Sequence, residues 1–144
     1  MREVKTLENI GVIYSNLGQR QKALGLYQQV LPLYRQLGDK MGEANTLREI
    51  GKVYFTTRQL QEALELYQQA LPLHRQAGDK VGEANTLGNI GAAYYTTGQR
   101  QKALDFYQQA LLLSRQTGDK GGEAHALNNI ARIYNDTGLC CMND

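Results

Sequence analysis

The sequence is poor in residues that cross-link a fold or anchor it in a membrane. It contains two cysteines, Cys140 and Cys141, and because they are neighbours at one end of the chain they cannot staple the fold together. No apolar run approaches the roughly 20 residues that a membrane-spanning helix needs. Residues 1–5 are polar and lack the apolar stretch of a secretory signal. We therefore expect a soluble, cytoplasmic protein whose stability comes from packing.

The chain carries little net charge and few groups suited to catalysis. A formal net charge of +2 over 144 residues is too small to indicate a nucleic-acid or anionic-membrane partner. His74 and His125 lack cysteine, serine or carboxylate partners at the spacing of a recognisable motif. We expect Cys140 and Cys141 to be free thiols on a tail. The alternatives are a vicinal disulfide, a weak soft-metal site and a cross-link between chains. The sequence predicts no enzyme activity, no cofactor and no metal site.

What the chain does have is a repeat of forty residues. Gly38-Asp39-Lys40 recurs as 78–80 and again as 118–120, and residues 41–80 match 81–120 at 26 of 40 positions without a gap. Self-similarity at a fixed period of this size is typical of stacked-repeat proteins. Such proteins present an extended surface, which favours binding of another protein.

Each repeat reads as two helices joined by short turns. Apolar and small residues recur at helical spacing in two stripes, Leu47, Ile50, Gly51, Tyr54 and then Ala63, Leu64, Tyr67, Ala70, Leu71. Glycines predicted to be left-handed close the helices at 18, 98 and 138 and at 38, 78 and 118. Arg58 replaces one of them, at a cost of about 1 kcal/mol if the backbone stays left-handed. Asp39, Asp79 and Asp119 are placed to cap the next helix.

Small residues predict where helices approach closely. Gly11, Gly51, Gly91 and Ala131 occupy the positions at which two helix backbones would cross, and Tyr14 and Tyr27 with their repeats would fill the space between. Pro32 and Pro72 fall inside the second-helix stripe. We expect a kink at each, and the alternative is that the helix ends there.

The run Leu47-x-x-Ile50-Gly51-x-x-Tyr54, followed by Ala63-x-x-x-Tyr67-x-x-Ala70, resembles a tetratricopeptide repeat. The forty-residue period is similar to repeats of kinesin light chain and of bacterial signalling proteins of cyanobacterial style, whereas the usual unit has about 34 residues. The resemblance implies an all-α solenoid, a right-handed superhelix of seven helices in antiparallel pairs. It would form a single domain over 1–144, with units 1–40, 41–80 and 81–120, a half unit 121–138 and a tail 139–144.

The resemblance also implies a concave groove in which the first helices hold an extended peptide. One ladder of polar positions consists of Asn9, Glu49, Asn89 and Asn129. The turn before it holds Lys5, Asn45, Asn85 and His125, and Lys52 and Arg132 lie a turn later. Asparagine amides can pair with a peptide main chain, and the two cations would favour an acidic ligand. The alternative is that these polar residues only form a solvated wall of the groove and contact no ligand. A carboxylate clamp of the chaperone-binding kind is not expected, because Glu8 and Val12 occupy its first lysine and asparagine positions.

Three functions remain open. The first is a protein-interaction module that binds an extended peptide or a partner helix in the groove. The second is self-assembly through the incomplete C-terminal unit, whose Leu127, Ile130, Ile133 and Tyr134 have a partner on one side only, so that a homo-oligomer is possible. That half unit is equally explained as a piece of a longer array. The third is a regulatory sensor segment of a larger signalling protein.

Overall fold

The protein is described by a computed structural model that places residues 2–138. This part of the chain contains seven α-helices and no strand, which confirms the predicted all-α class and helix number. The helices are α1 Arg2–Asn16, α2 Arg20–Leu37, α3 Lys40–Thr56, α4 Leu60–Gln76, α5 Lys80–Thr96, α6 Arg100–Thr117 and α7 Lys120–Thr137.

The chain divides into two compact units, residues 1–78 and 79–144. The first unit contains α1 to α4, and the described part of the second contains α5 to α7. Within each unit consecutive helices pack on each other, and the first helices of adjacent pairs also touch, α1 on α3 and α5 on α7. The repeat limits predicted from the sequence, and the single domain they compose, stay predictions. The tail 139–144, with both cysteines, lies outside the described residues.

Left-handed residues end the helices, as predicted. Gly18, Gly98 and Gly138 have φ of 78°, 83° and 74°, and Arg58 keeps the same conformation with φ of 67° although it carries a side chain. The turn geometry is therefore set by the neighbouring helices, because it persists where the residue does not favour it.

Aspartates precede α3, α5 and α7, which confirms their predicted capping role. In each case the carboxylate accepts a hydrogen bond from the backbone N–H three residues later: Asp39 from Gly42 at 2.9 Å, Asp79 from Gly82 at 2.9 Å and Asp119 from Gly122 at 3.0 Å. These bonds satisfy N–H groups that the helix itself leaves without partners.

A buried tyrosine of each second helix lies directly on a glycine of its first helix. A Cβ added to the glycine would meet the Cε1 atom of that ring at 2.8 Å for Gly11 on Tyr27, 2.6 Å for Gly51 on Tyr67 and 2.7 Å for Gly91 on Tyr107. Tyr27, Tyr67 and Tyr107 therefore fill the space at these glycines, as predicted for Tyr27 and its repeats. The crossing of two backbones at the glycines stays a prediction.

Both prolines lie inside continuous helices. α2 runs through Pro32 to Leu37, and α4 runs through Pro72 to Gln76. The alternative of an early helix end is wrong, and the kink itself stays a prediction. Both prolines are exposed, so the carbonyl that loses its partner four residues earlier can bond to water.

Candidate binding faces of the first helices

In the first unit, α3 presents three of the predicted groove residues at spacings of four and three residues. Asn45 and Glu49 are half-buried and Lys52 is exposed. The Glu49 carboxylate lies 3.3 Å from Lys52 Nζ and 3.9 Å from a guanidinium nitrogen of Arg48. The lysine expected to attract an acidic ligand is therefore already paired on its own helix.

A cleft of about 500 Å³ opens in the first unit, where the N-terminal turns of α1 and α3 meet the last turns of α2. Of the predicted ladder positions it contains Lys5 and Asn45. It is lined by Arg2, Lys5, Tyr34, Asp39, Met41, Gly42 and Asn45. The lining combines cations at the rim with an amide, an apolar side chain and a phenol, which is a mixture suited to a peptide.

Beside the cleft lies the buried carboxylate of Glu8. From the sequence, Glu8 was noted only because it replaces the first lysine of a carboxylate clamp. Glu8 is 5% exposed; it accepts a hydrogen bond of 2.7 Å from the Tyr34 hydroxyl and lies 3.1 Å from Lys5 Nζ. Burial raises the pKa of the Tyr34 hydroxyl, and the hydrogen bond to Glu8 raises it further. Because Tyr34 lies 26 residues after Glu8, no local pattern could have revealed the pair.

Glu8 of α1 and Glu49 of α3 both raise the pKa of the same buried tyrosine, Tyr27. Tyr27 is fully buried; burial raises its pKa most, and Glu49 and then Glu8 raise it further. Its hydroxyl has no hydrogen-bonding partner among residues 2–138. The acidic residues of the first-helix face therefore influence the core beneath it.

In the second unit the predicted residues differ in accessibility. Asn85 and His125 are exposed and Asn89 is half-buried, as is typical of an open face, and Asn9 in the first unit is exposed as well. Asn129 is only 9% exposed. Of the predicted groove residues in this unit, Asn129 is therefore the least accessible.

Arg132 of α7 is exposed, and its guanidinium lies over an aromatic ring. Its guanidinium lies 5.9 Å from the ring centre of Tyr95, that of Arg100 lies 5.8 Å from the same centre, and the Tyr95 hydroxyl donates a hydrogen bond to Asp136. This hydrogen bond is the main cause of the raised pKa of Tyr95. Tyr95, Arg100 and Asp136 were not singled out as site residues from the sequence, because three different helices bring them together.

Two further properties concern residues 2–138. Within that range no group of three histidine, cysteine, aspartate or glutamate side chains is placed to hold a metal ion. None of the helices described there is long and apolar enough to cross a membrane.

Comparison with known proteins identifies the repeat. The model of the tetratricopeptide repeat family matches residues 2–76, 58–116 and 82–140. No curated protein matches the sequence significantly.

Solved structures share the fold at low sequence identity. BtubC (BKLC) from P. vanneervenii is 19% identical, covering 94% of this chain and 56% of that chain with a TM-score of 0.79. Aspartyl phosphate phosphatase F from Bacillus subtilis is 14% identical, covering 98% of this chain and 37% of that chain with a TM-score of 0.93. A putative kinesin light chain from Podosopora anserina with nearly identical TPR-like repeats is 20% identical, covering 94% and 67% with a TM-score of 0.69.

This chain thus spans 56% and 37% of the length of the first two proteins. The likeness to them concerns the fold, and the predicted similarity to kinesin light chain repeats is confirmed at that level. The family fold is in general a non-catalytic scaffold for protein–protein interaction. With its model matched over nearly the whole sequence, the chain belongs to the tetratricopeptide repeat family.

Proposed function

We propose that the protein binds a partner protein along its first helices, as an extended peptide or a partner helix. In the first unit the contacts would come from Asn9, Asn45, Glu49 and Lys52, and in the second from Asn85, Asn89, His125, Asn129 and Arg132. Asparagine amides offer both a donor and an acceptor, so they can bond to a main chain whatever its side chains are.

The observation that carries this proposal is the cleft of the first unit. Asn45 lies in it beside Lys5 and Arg2, and its volume of about 500 Å³ would take several residues of a peptide. Met41 supplies an apolar contact and is 45% exposed. An exposed methionine adapts to differently shaped side chains, which favours binding of a peptide over binding of one small molecule.

Charge plays a smaller part in this proposal than the sequence indicated. Lys52 is paired with Glu49, Lys5 with Glu8, and Arg132 lies on Tyr95 near Asp136. An acidic ligand would have to compete with these contacts. We therefore expect recognition to depend mainly on hydrogen bonds to the main chain and only weakly on salt.

The test begins with a displayed peptide library screened against the intact chain, followed by titration calorimetry with the tightest binder. Asn45→Ala should weaken that peptide about tenfold or more, because losing a buried hydrogen-bonding partner costs about 1–3 kcal/mol. Asn135→Ala is the matched control, since Asn135 is an exposed asparagine of α7 outside both ladders. Unchanged affinity in Asn45→Ala, with a well-folded variant, would show that the cleft is not the binding site.

A second candidate is self-assembly through α7, and one observation favours it. Leu127 is 42% exposed, and Ile130 and Tyr134 on the same side of the helix are half-buried. Light scattering over a range of concentrations separates the two candidates. A dimer that Leu127→Asp dissociates supports assembly, and a strict monomer removes it.

The third possibility, a sensor segment of a larger signalling protein, also stays a proposal. It is compatible with the fraction of the solved relatives that the chain spans. A cytoplasmic location likewise stays a prediction.

A further inference from the structure

The first helix carries an exposed apolar stripe that the sequence analysis did not identify. Ile10 and Ile13 of α1 are 37% and 56% exposed, and Leu17, the residue after the helix end, is 65% exposed. The backbone N–H of Leu17 donates a hydrogen bond to the Ile13 carbonyl, so the spacing of three and four residues places all three on one side. The equivalent residues forty positions later, Ile50 and Val53 of α3, are 6% and 2% exposed. Equivalent apolar side chains are therefore buried on α3 and exposed on α1.

The repeat itself shows what covers such a stripe. In the first unit, Ile50 and Val53 pack against Ala23 and Tyr27 of α2. The second unit repeats the arrangement with different residues, Ile130 and Ile133 of α7 packing against Ala103 and Tyr107 of α6. In both units the covering element is a helix that carries alanine and, four residues later, tyrosine.

Charged residues at one end of these contacts repeat as well. Arg35 Nε of α2 lies 3.0 Å from the Glu43 carboxylate of α3, and Arg115 Nε of α6 lies 3.3 Å from that of Glu123 of α7. Each arginine follows its tyrosine by eight residues. On α1 the equivalent glutamate is Glu3, which is exposed.

A polar contact marks the other end of the interface in the first unit. Arg20 Nε of α2 donates a hydrogen bond of 2.9 Å to the Thr56 hydroxyl of α3. On α1 the equivalent of Thr56 is Asn16, whose side-chain oxygen is also an acceptor and which is exposed. From end to end, α1 therefore presents the same sequence of acid, apolar stripe and acceptor that α3 presents to α2.

We propose that this α1 outer face, formed by Glu3, Ile10, Ile13, Asn16 and Leu17, binds an amphipathic helix from a polypeptide outside residues 1–144. The helix would have the pattern Arg-x-x-Ala-x-x-x-Tyr followed eight residues later by Arg. Its alanine and tyrosine cover Ile10 and Ile13, its first arginine bonds to Asn16, and its last pairs with Glu3. This surface is separate from the cleft, so the two proposals can fail independently.

A second copy of this chain is a poorer occupant than an outside helix. Ala23 and Tyr27 of α2 and Ala103 and Tyr107 of α6 are already covered within their own units, and the equivalent residues of α4, Ala63 and Tyr67, are 0% and 1% exposed. A second molecule would have to expose a buried tyrosine before it could dock.

The probe is a fluorescein-labelled peptide with the sequence of residues 99–118, which carries Arg100, Ala103, Tyr107 and Arg115 in the required register. Its binding to the intact chain is followed by fluorescence anisotropy. Ile13→Asp should weaken binding at least about tenfold, because an isoleucine that becomes buried contributes that much or more. Leu112→Asp is the matched control, since Leu112 is 60% exposed on α6 and outside the face.

Charge reversal tests the register of the docked helix. Glu3→Arg should weaken the peptide, and a peptide carrying Arg115→Glu should recover affinity for that variant only. Circular dichroism checks that each variant is folded. The proposal is overturned by absence of saturable binding, by equal binding to Ile13→Asp, by loss of binding in Leu127→Asp of α7, or by failure of the reversed peptide to recover. A dimer of the chain that Ile13→Asp dissociates would also overturn it, because the occupant would then be a second copy.

Discussion

Helix α3 of the first unit and helix α5 of the second share a packing contact but differ in their polar faces. α3 and α5 have the same packing contact, Gly51 on Tyr67 and Gly91 on Tyr107. Their polar faces differ: α3 carries Arg48, Glu49 and Lys52 where α5 carries Gly88, Asn89 and Ala92. The face of α3 is charged and that of α5 is neutral, although the two helices make the same kind of buried contact.

This contrast shows that the fold and the polar face of the first helices are specified by separate residues. The glycine–tyrosine contacts tolerate no extra atom, so they recur in every complete pair. The face positions have room, and their charges are balanced within the helix or with a neighbour, as in Glu49 with Lys52. A face can therefore change from charged to amide without a change of fold.

The largest expected effect that tests the contrast is alkaline unfolding. Burial raises the pKa of Tyr27, Tyr67 and Tyr107; Glu49 raises it further for the first two, whereas Arg132 opposes the rise for Tyr107. An unfolded tyrosine ionises near pH 10, and the folded ones hold their proton to higher pH. Stability is thus intact below about pH 10 and falls above it by about 1.4 kcal/mol per pH unit for each buried tyrosine.

Urea unfolding at several pH values measures this slope, and the near-ultraviolet absorbance of tyrosinate shows when the buried residues ionise. Tyr27→Phe should reduce the slope by one tyrosine and leave the protein as stable or more stable at neutral pH, because the lost hydroxyl is buried without a partner in the described chain. A slope unchanged by Tyr27→Phe would mean that this tyrosine does not contribute. If Glu49→Gln left the ionisation of Tyr67 unchanged, the charged face would not act on the core.

Local chemistry explains how much of the fold could be predicted from the sequence. Gly18 and Gly98 end helices because left-handed backbone favours glycine, and Asp39 begins one because its carboxylate bonds to a nearby N–H. The forty-residue period placed Tyr27 and Gly11 on facing helices and predicted that the tyrosine fills the space there, which the ring does.

The candidate site was less predictable because its contacts join distant parts of the chain. Glu8 with Tyr34, and Arg132 with Tyr95, involve helices whose relative rotation the repeat pattern does not specify. The exposed stripe on α1 was missed for another reason. Ile13 looks like a core residue by analogy with Val53, and only the packing shows that no helix among residues 2–138 covers it.

The next effect compares a packing glycine with a face glycine of the same helix. Gly91→Ala would place a methyl group 2.7 Å from Tyr107 Cε1, so we expect a loss of about 1–3 kcal/mol in the free energy of unfolding. Gly88→Ala has open space around the new methyl group and should gain about 0.5–1 kcal/mol through helix propensity. Urea midpoints of the two variants measure the difference. Equal shifts in the same direction would contradict the separation of packing and face positions.

The smallest effect concerns the turns within the pairs, where the two units differ by one residue. Arg58 holds φ of 67° in the turn between α3 and α4, and Gly98 holds 83° in the turn between α5 and α6. Arg58→Gly should relieve about 1 kcal/mol of backbone strain. Part of this gain in stability is lost, because glycine raises the conformational entropy of the unfolded chain. Gly98→Ala should lose about 1 kcal/mol for the converse reason, because its added methyl group meets no other atom and only the left-handed backbone opposes it. Thermal unfolding of both variants tests the pair. If Arg58→Gly were destabilising, the arginine side chain would contribute a contact at this turn that outweighs the strain, and the two turns would differ in more than their backbone.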